Sequence, residues 1–378
     1  MESGENMKYI WQQKEWPKWE FDLGRLSELL SRVNLERGRL LGSVQALGFK
    51  VADEVNLMAL TSEVVKSSEI EGEKLNPESV RSSLARRLGI EDGGLTPPDR
   101  NIEGVVEMVL DATCKYTEQL TNDRLFGWHA ALFPTGYSGM TKITVADYRN
   151  DSDGPMQIVS GRIIGKETVH FEAPPALSLK SEMAYFLHWF NNSDNGLDSV
   201  LKAGLAHLWF VTIHPFEDGN GRIGRAICDM ALARSDGSPQ RFYSLSAQIL
   251  RERKNYYDIL ESTQKGALEV SDWLEWFLNC LLRAVLNGNE EIKGAIYLSA
   301  LASKTKNGSL NERQMKVLNM MMHEFEGNLT SGKWAKITHC STDTALRDIE
   351  ELLNMGALEK AGESKRGTHY LLKYSEKK

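Results

Sequence analysis

The stretch HPFEDGNGRIGR, residues 214–225, follows an apolar segment and decides how the chain is interpreted. That segment, Leu197 to Ile213, predicts a helix that ends at His214-Pro215, because proline lacks a backbone N–H and disfavours continuation. Glycines 219 and 221 predict a tight turn whose N–H groups can approach an anion, and a second helix turns its positive end to the same point. The sequence therefore predicts a phosphate-binding loop between two helices.

Four side chains of this loop predict chemistry on a phosphate. Arg222 and Arg225 lie one helical turn apart and offer two guanidinium groups to oxyanions. Asp218 would repel phosphates unless a cation lay between them, so we expect it to hold Mg²⁺. His214, with an ordinary pKa near neutrality, is a candidate general base for a hydroxyl nucleophile. Any one of these residues is typical of a capped helix with surface arginines, but their joint occurrence favours a catalytic site.

The composition predicts an ordinary globular protein of the cytoplasm. Its 378 residues are 41% hydrophobic and 26% charged, and the length allows two or three domains. The net charge of -7 argues against a protein that mainly coats nucleic acid or an anionic membrane. Four widely spaced cysteines predict reduced thiols. We expect a cytoplasmic protein without a membrane span, since neither a signal peptide nor a long apolar run is visible.

Two polar segments, 91–99 and 303–309, divide the chain into three parts. The first part is predicted to be helical, and its Trp11, Trp16 and Trp19 are expected to pack in a core or at a domain seam rather than to form a ligand cage. The second part is mainly helical. The predicted helices cover about Leu23–Leu47, Ala52–Ile70, Ile102–Leu120, Asp123–Leu132, Leu179–Asn191, Leu197–Ile213, Arg222–Arg234 and Asp272–Leu286.

The third part, Asn311 to Tyr374, has the order helix, short helix, turn, helix and extended pair, which matches a winged helix-turn-helix. Its candidate recognition helix runs from about Ser341 to Met355 and carries Arg347. From Ser331 onward, nine Lys/Arg stand against seven Asp/Glu, which is too even for strong affinity driven by phosphates. A DNA contact and a protein contact through this part both stay open.

The loop resembles, at every position, the signature H-P-F-x-[DE]-G-N-[GK]-R-x-x-R of the Fic family. The resemblance implies transfer of AMP from ATP, with Mg²⁺, to a Ser, Thr or Tyr hydroxyl of a protein. It also implies that His214 deprotonates the hydroxyl and that Asp218 binds Mg²⁺. The residues implied to hold the phosphates are Gly219, Asn220, Gly221, Arg222 and Arg225.

Two further segments fit the same family. A predicted hairpin from about Asp153 to Glu172 lies where Fic proteins carry a flap that aligns the target by strand addition, although its residues are also typical of a plain surface hairpin. In the segment that begins at Asn255, the resemblance makes Tyr257 a wall of the adenine pocket and Gln264, where family members often have Asn, a polar contact. The candidate docking edge consists of Gln157, Ile158, Val159, Ser160 and Gly161.

The pattern Ser67-x-x-x-Glu71-Gly72 ends the second predicted helix and resembles the inhibitory motif [ST]-x-x-x-E-[GN] of Fic proteins. The resemblance implies an autoinhibited enzyme of the family's class II, in which Glu71 pairs with Arg225 and prevents a productive pose of ATP. The alternative is that Glu71 belongs to a solvated acidic run over 69–73. In related proteins the same glutamate supports removal of AMP, so de-AMPylation stays open.

Three other functions are alternatives. His207 and His214 lie two turns apart and would suit a metal hydrolase, but no HExxH motif accompanies them, so we expect His207 to be a packed helix residue. A kinase-like use of the loop, or transfer of another nucleotide, is closer, although the Gly221 form of the motif favours AMP. The third alternative is a DNA-binding regulator that acts through the winged helix.

The sequence therefore predicts an all-α protein with four segments. Residues 1–95 form an N-terminal helical domain that carries the inhibitory helix, and residues 96–290 form a Fic helical core with a small β-hairpin flap. A helical linker, 291–309, leads to the winged helix-turn-helix, 310–378. The resemblance implies a homodimer whose partners are ATP and a protein substrate, itself included, with no membrane.

Overall fold

The computed structural model describes residues 9–45, 49–90, 100–152, 154–160, 168–192, 196–302, 305, 310–323, 325, 327–361 and 368–373. Helices dominate these residues, and their named strands form only two-stranded antiparallel sheets, which confirms the predicted all-α class. The helices are α1 (Leu23–Gln45), α2 (Phe49–Ile70), α3 (Pro77–Leu88), α4 (Arg100–Cys114), α5 (Asn122–Leu132), α6 (Leu179–Asn191), α7 (Ser199–Ile213), α8 (Asn220–Asp236), α9 (Leu245–Arg251), α10 (Arg253–Gln264), α11 (Ser271–Ala302), α12 (Glu312–His323), α13 (Ser331–Thr338) and α14 (Thr342–Asn354). The strands are β1 (Tyr137–Ser138), β2 (Thr141–Lys142), β3 (Gln157–Ser160), β4 (Thr168–Glu172), β5 (Leu358–Ala361) and β6 (His369–Leu372).

The chain divides into two compact units. One comprises Met1–Ala46 and Asn56–Gly288, and the other comprises Leu47–Val55 and Asn289–Lys378. Within the described ranges, no helix combines the length and the apolar character that crossing a membrane requires.

Helices α7 and α8 form the centre of the first unit. α7 is buried along almost its whole length, as is typical of an apolar helix in the middle of a core. Its first turn is capped by the side chain of Asp198, which accepts from the N–H of Val200 at 2.8 Å. α8 comes close to α7 at Gly224, where an added Cβ would lie 2.9 Å from Cγ1 of Val211. The two helices therefore fix both ends of the predicted loop.

The N-terminal tryptophans pack in the core, as predicted. The rings of Trp16 and Trp19 lie 5.0 Å apart and contact the buried Trp209 at 6.3 and 5.9 Å. The indole N–H of Trp16 donates to Glu182 at 3.0 Å, and that of Trp11 donates to the carbonyl of Glu172 at 2.7 Å. The three N-terminal rings are half-buried, and these contacts are typical of packing against a core rather than of a ligand cage.

The helix predicted over Ile102–Leu120 is shorter than expected. It ends as α4 at Cys114, and the chain then turns around the guanidinium of Arg124. This group donates to the carbonyls of Asp111 and Lys115 at 2.7 and 3.0 Å. An arginine from the next helix thus satisfies carbonyl groups that another helical turn would have used.

Helices α3, α9 and α11 also differ from the prediction, and α9 (Leu245–Arg251) has no predicted counterpart. The helix predicted over Asp272–Leu286 continues as α11 to Ala302 and passes through Gly288, where an added Cβ would lie only 2.4 Å from the carbonyl oxygen of Phe242. This glycine therefore serves a close packing contact instead of ending the helix. Helix α3 was not predicted, although the Asn76 cap and Pro77 at its first position are ordinary start signals.

The second unit contains helices α12 to α14 followed by the pair β5 and β6, in the predicted order of elements. α14 begins after Ser341, whose hydroxyl accepts from the N–H of Thr344 at 3.2 Å. It covers nearly all of the stretch predicted as a recognition helix. β5 and β6 pair with Leu358 opposite Leu372, and Trp334 lies in the hydrophobic core of the unit.

Candidate functional site

The end of α7 holds His214 in a left-handed backbone conformation. Its φ is 52°, and its N–H closes the last turn by donating to Phe210 at 3.0 Å. The buried Arg149 fixes the next peptide from the other side: its Nε donates to the carbonyl of His214 at 2.8 Å, and its backbone N–H donates to Pro215 at 2.9 Å. A residue other than glycine in this conformation is strained and persists because its surroundings hold it.

The imidazole of His214 is set up as a proton acceptor. Its Nδ1 lies 3.2 Å from the carbonyl oxygen of Val211, so the proton sits on Nδ1 and Nε2 carries the free lone pair. Burial lowers the pKa of His214 from its ordinary 6.5 to about 4. The ring is therefore neutral at pH 7, as a general base must be before it acts.

The turn between the helices is closed by Asn220 and Phe216. The side chain of Asn220 accepts from the N–H of Phe216 at 3.0 Å and donates to its carbonyl at 2.7 Å. Gly219 has a φ of 83°, which an L side chain rarely adopts. The ring of Phe216 is fully buried and stacks on His129 at 4.3 Å. Both polar groups of the Asn220 side chain thus shape the loop.

Asp218 is oriented by residues that the sequence did not single out. One carboxylate oxygen accepts from the N–H of Gly219 at 2.6 Å, and the other accepts from the hydroxyl of Ser138. The backbone carbonyl of Asp218 lies 3.2 Å from Nε2 of His129, whose Nδ1 accepts from the N–H of Ala146 at 3.2 Å. Burial lowers the pKa of His129 to about 4, so this neutral ring donates to the loop.

Arg222 and Arg225 are buried and are paired with acids from the end of α2. Nη2 of Arg225 donates to Glu71 at 2.8 Å and to the carbonyl of Ser67 at 2.9 Å, while Nε donates to the Ser67 hydroxyl at 2.9 Å. Nη1 of Arg222 donates to Glu73 at 2.7 Å. Burial alone would lower the pKa of Arg225, but the Glu71 carboxylate raises it above its ordinary value.

The carboxylate of Glu71 lies at the first turn of α8. An added Cβ at Gly221 would lie 2.1 Å from Oε1 of Glu71, so only glycine leaves room for this approach. Gly72 has a φ of 88° and ends α2, where the N–H of Glu73 donates to Ser68 at 3.0 Å. The turn thereby aims an anionic side chain at a helix N-terminus, the place where anions bind.

A cavity of about 580 Å³ opens in front of His214 and Gly221. Tyr257 and Gln264 both line it, so the structure brings the two predicted adenine-pocket residues together. Gln264 is buried and donates to the hydroxyl of Thr212 at 3.1 Å. The remaining lining residues are Glu71, Ile158, Val159, Ser160, His170, Phe171, Val211, Arg253, Tyr256, Asp258, Leu260 and Glu261.

His207 is a packed helix residue, as predicted. Its Nε2 lies 2.9 Å from the hydroxyl of Tyr256, and its ring is parallel to Trp273 at 5.9 Å. Burial lowers the pKa of His207 to about 4. No group of three or more His, Cys, Asp and Glu side chains suited to a metal ion occurs in the part of the chain that the structure describes.

The predicted hairpin forms one wall of the cavity. β3 and β4 are antiparallel, with Gln157 opposite Glu172 and a bulge between Ile158 and Val159. β4 is the only strand paired with β3 among the described strands. Gly161, the last residue of the predicted docking edge, lies outside the described residues.

The sequence profile of the Fic/DOC family matches residues 119–232, and that of a domain of unknown function, DUF4172, matches residues 9–90. The chain is 30% identical over 104 residues to a probable protein adenylyltransferase of Aquifex aeolicus, covering 28% of this chain and 30% of the relative. It is 25% identical over 294 residues to the protein adenylyltransferase Fic of Culex quinquefasciatus, covering 72% of this chain and 50% of the relative.

Two further matches complete the comparison. The chain is 32% identical over 123 residues to a uridine 5'-monophosphate transferase of Xanthomonas campestris, covering 30% of this chain and 21% of the relative. A crystal structure of a Fic family protein from Desulfovibrio desulfuricans superimposes with a TM-score of 0.50 at 19% identity, covering 93% of this chain and 97% of that one. The chain thus spans half or less of the length of these sequence relatives but shares its fold with a Fic family protein.

Proposed function

Because the chain carries a Fic/DOC domain over residues 119–232, we propose that it is a protein adenylyltransferase that moves AMP from ATP to a Ser, Thr or Tyr hydroxyl of a protein. One observation carries the proposal. The neutral imidazole of His214 and Gly221 at the N-terminus of α8 line one cavity, and the Glu71 carboxylate, which pairs with the buried Arg225, lies there where an anion would bind.

The triphosphate binds at the first turn of α8. The N–H groups of Gly219 to Gly221 and the positive end of the helix favour anions there. Among the described residues, Nη1 of Arg225 and Nε of Arg222 are buried donors without a hydrogen-bond partner. Unsatisfied guanidinium donors are costly unless a ligand takes them, which supports their assignment to phosphate oxygens. Asn220 serves this site by holding the loop closed.

Asp218 is the residue that would hold Mg²⁺. Its donors fit this ion, since Mg²⁺ is commonly bound by one or two carboxylates together with substrate phosphates and water. Ser138 and the N–H of Gly219 fix the orientation of the carboxylate. When bound, the ion supplies neutralisation of charge on the phosphates.

His214 takes the proton of the acceptor hydroxyl on Nε2. The hydroxyl oxygen attacks the α-phosphorus, a new O–P bond forms, the bond from the α-phosphorus to the bridging oxygen breaks, and pyrophosphate leaves. The strained backbone at His214 and the contacts of Arg149 keep the imidazole in place for this step. Charge that develops on the α-phosphate is met by the amides of the loop.

The adenine and the target protein occupy the two sides of the cavity. Tyr257 forms a wall for the adenine, and Arg253 lies over its ring at 5.6 Å. Gln264 is a buried polar residue of the cavity lining, and its amide donates to Thr212. The target segment adds as a strand to the edge of β3, so that its hydroxyl faces His214.

The resting enzyme is closed by the turn after α2. Glu71 holds Arg225 and fills the anion position at Gly221, so ATP cannot place its outer phosphates there. Ser67 accepts from Nε and Nη2 of the same guanidinium, and Gly72 allows the turn. A ligand and a carboxylate that compete for one site exclude each other, so this contact lowers productive ATP binding.

Glu73 pairs with Arg222 and thereby inhibits the site in the same way as Glu71. Removing Glu73 should therefore raise the rate of AMP transfer beyond the gain from removing Glu71. In the Glu71→Gly background, Glu73→Gln is expected to raise transfer by a further factor of about 2 to 5, since a half-exposed ion pair contributes at most about 1 kcal/mol. Glu69→Gln is the matched control, because Glu69 pairs with Lys66 at 2.9 Å instead of an arginine. Equal effects of the two substitutions would contradict a role for Glu73.

The depressed pKa of His214 predicts an unusual pH profile. Since only the neutral ring accepts a proton, kcat/KM of the Glu71→Gly variant should stay nearly flat from pH 8 to about 5 and fall only near pH 4. The negative charge of Glu71 raises the pKa of His214. Removing Glu71 should therefore not move the acidic fall of kcat/KM to higher pH. Half-loss of kcat/KM near pH 6.5 would contradict the account.

Unfolding must be measured at each pH as the control. His129, His207 and His214 all have pKa values lowered by burial to about 4. Because the unfolded chain binds protons below about pH 6.5 and the folded chain does not, stability falls as the pH drops through this range. The profile is interpreted only where circular dichroism reports a folded protein.

The products distinguish AMP transfer from its rivals. Transfer of AMP releases pyrophosphate, whereas a kinase-like reaction releases ADP. We expect the Glu71→Gly variant, with ATP, Mg²⁺ and a cell lysate as acceptor, to release pyrophosphate in proportion to protein-bound AMP. Release of ADP with a phosphorylated protein would contradict the proposal, and release of AMP from a modified protein by the wild type would favour the reverse reaction.

A further inference from the structure

A second chain of hydrogen bonds lies on the wall of the same cavity and has no part in the reaction described above. The side chain of Ser160, at the end of β3, lies 2.6 Å from Nε2 of His170 in β4. Nδ1 of His170 lies 2.7 Å from Oε2 of Glu261 in α10. With the proton on Nδ1, the imidazole donates to the carboxylate and accepts from the serine hydroxyl.

Glu261 is held in place for this contact. Its other carboxylate oxygen accepts from Nζ of Lys265 at 2.6 Å. The hydrogen bond from Lys265 is the main cause that lowers the pKa of Glu261, and the bond from His170 adds to it, so the carboxylate stays charged. An oriented carboxylate fixes the tautomer of a histidine and strengthens it as a base.

The arrangement is that of a nucleophile, a base and an orienting group. The hydrogen bond between His170 and Glu261 would also fix the hairpin against α10. That structural role alone does not require the Ser160 hydroxyl to donate to the free nitrogen of the imidazole. Ser160 is exposed, and it lines the cavity together with His214 and Gly221. Ser160 therefore lies on the wall of the cavity in which the proposed function places ATP.

We infer that Ser160 is itself an acceptor of AMP. This inference rests on the proposed function, which supplies ATP as the electrophile. The Ser160 hydroxyl passes its proton to Nε2 of His170, its oxygen forms a bond to the α-phosphorus, the bond to the bridging oxygen breaks, and pyrophosphate leaves. The product is a phosphodiester between AMP and the end of β3.

The modified position lies on the edge that docks the target. AMP on Ser160 places a negative charge and a bulky group at the end of β3, where an incoming strand would pair. A target segment and self-modification therefore compete for the same face of the flap. Acceptor protein in excess should slow the appearance of AMP on Ser160.

The test maps the modified residue in the Glu71→Gly protein after incubation with ATP and Mg²⁺. Mass spectrometry of a digest is expected to find AMP on the peptide that carries Ser160. Thr168→Ala is the matched control, because Thr168 is the cross-strand partner of Ser160 and its loss should leave this label unchanged. His170→Gln removes the base and should slow the label about 100-fold.

The outcomes separate this inference from the proposed function. Labelled lysate proteins with an unmodified Ser160 peptide would overturn the inference alone. If AMP appeared on Ser160 at the same rate in His170→Gln and in Glu261→Gln as in the parent protein, the claim that His170 and Glu261 activate the hydroxyl would be wrong. No AMP on any protein would overturn both proposals. AMP on Ser160 that depends on His170 but not on Thr168 is the expected result.

Discussion

Replacement of His214 with Ala in the Glu71→Gly background is expected to lower the rate of AMP transfer about 100- to 10,000-fold. The imidazole is the group of the loop that lines the cavity with a free ring nitrogen, and its low pKa keeps it neutral. ATP binding should change little, because the proposed function assigns the phosphates to α8 and the arginines rather than to His214. The measurement is transfer of label from α-labelled ATP, together with ATP affinity by calorimetry.

His188→Ala is the matched control for this substitution. His188 is an exposed histidine of α6 and lies outside the cavity, so its loss should leave transfer unchanged. Loss of transfer with equal loss of ATP affinity in His214→Ala would indicate a damaged loop rather than a missing base. Transfer within threefold of the parent would show that His214 is not the base.

Replacement of Glu71 with Gly is expected to raise AMP transfer about 10- to 100-fold above the wild type. The lost contact is a charge-assisted hydrogen bond to a buried guanidinium, for which about 1.5–3 kcal/mol is typical, and each 1.4 kcal/mol is a factor of ten. The side chain of Glu71 is partly exposed, which favours the lower end of this range. Label transfer and ATP affinity should rise together.

Two variants make this prediction specific. Glu71→Gln keeps the size of the side chain but removes its charge, so an intermediate gain is expected. Glu69→Gly removes an acid from the same end of α2 that pairs with Lys66, and it should give no gain. If the wild type were as active as Glu71→Gly, Glu71 would not inhibit the enzyme. Equal gains from Glu71→Gly and Glu69→Gly would indicate that glycine destabilises the end of α2.

The central part of the site could be predicted because its residues are close in sequence. His214, Asp218 and Arg225 belong to one loop and one helical turn, where local spacing fixes their relative positions. Glu71 was predicted only through resemblance to a family motif. The structure then places its carboxylate 2.8 Å from Arg225, a contact between residues 154 positions apart.

The supporting residues could not be predicted for the same physical reason. Arg149, His129 and Ser138 reach the loop from 65 to 89 positions away, and none of them has a sequence pattern that signals a contact with it. Glu73 was weighed only as part of a solvated acidic run. Its pairing with Arg222 joins residues 149 positions apart and follows the left-handed turn at Gly72.

Errors in the helix boundaries arose from tertiary contacts. The predicted extension of α4 was wrong, and Arg124 satisfies carbonyl groups at its end. The predicted end of α11 was also wrong, and the helix passes through Gly288, which packs closely against Phe242. In both cases the local sequence was consistent with the prediction. A contact from a distant segment decided the outcome, as is common for element ends.

The most direct test of the central claim is a comparison of labelled nucleotides with the Glu71→Gly protein. ATP labelled at the α-phosphate, ATP labelled at the γ-phosphate and UTP labelled at the α-phosphate are each incubated with a lysate and Mg²⁺. We expect protein-bound label from α-labelled ATP alone, and a fall of about 100- to 10,000-fold in the label on lysate proteins after His214→Ala. Label from γ-labelled ATP would indicate phosphorylation, and stronger label from UTP would indicate UMP transfer; either result would contradict AMP transfer.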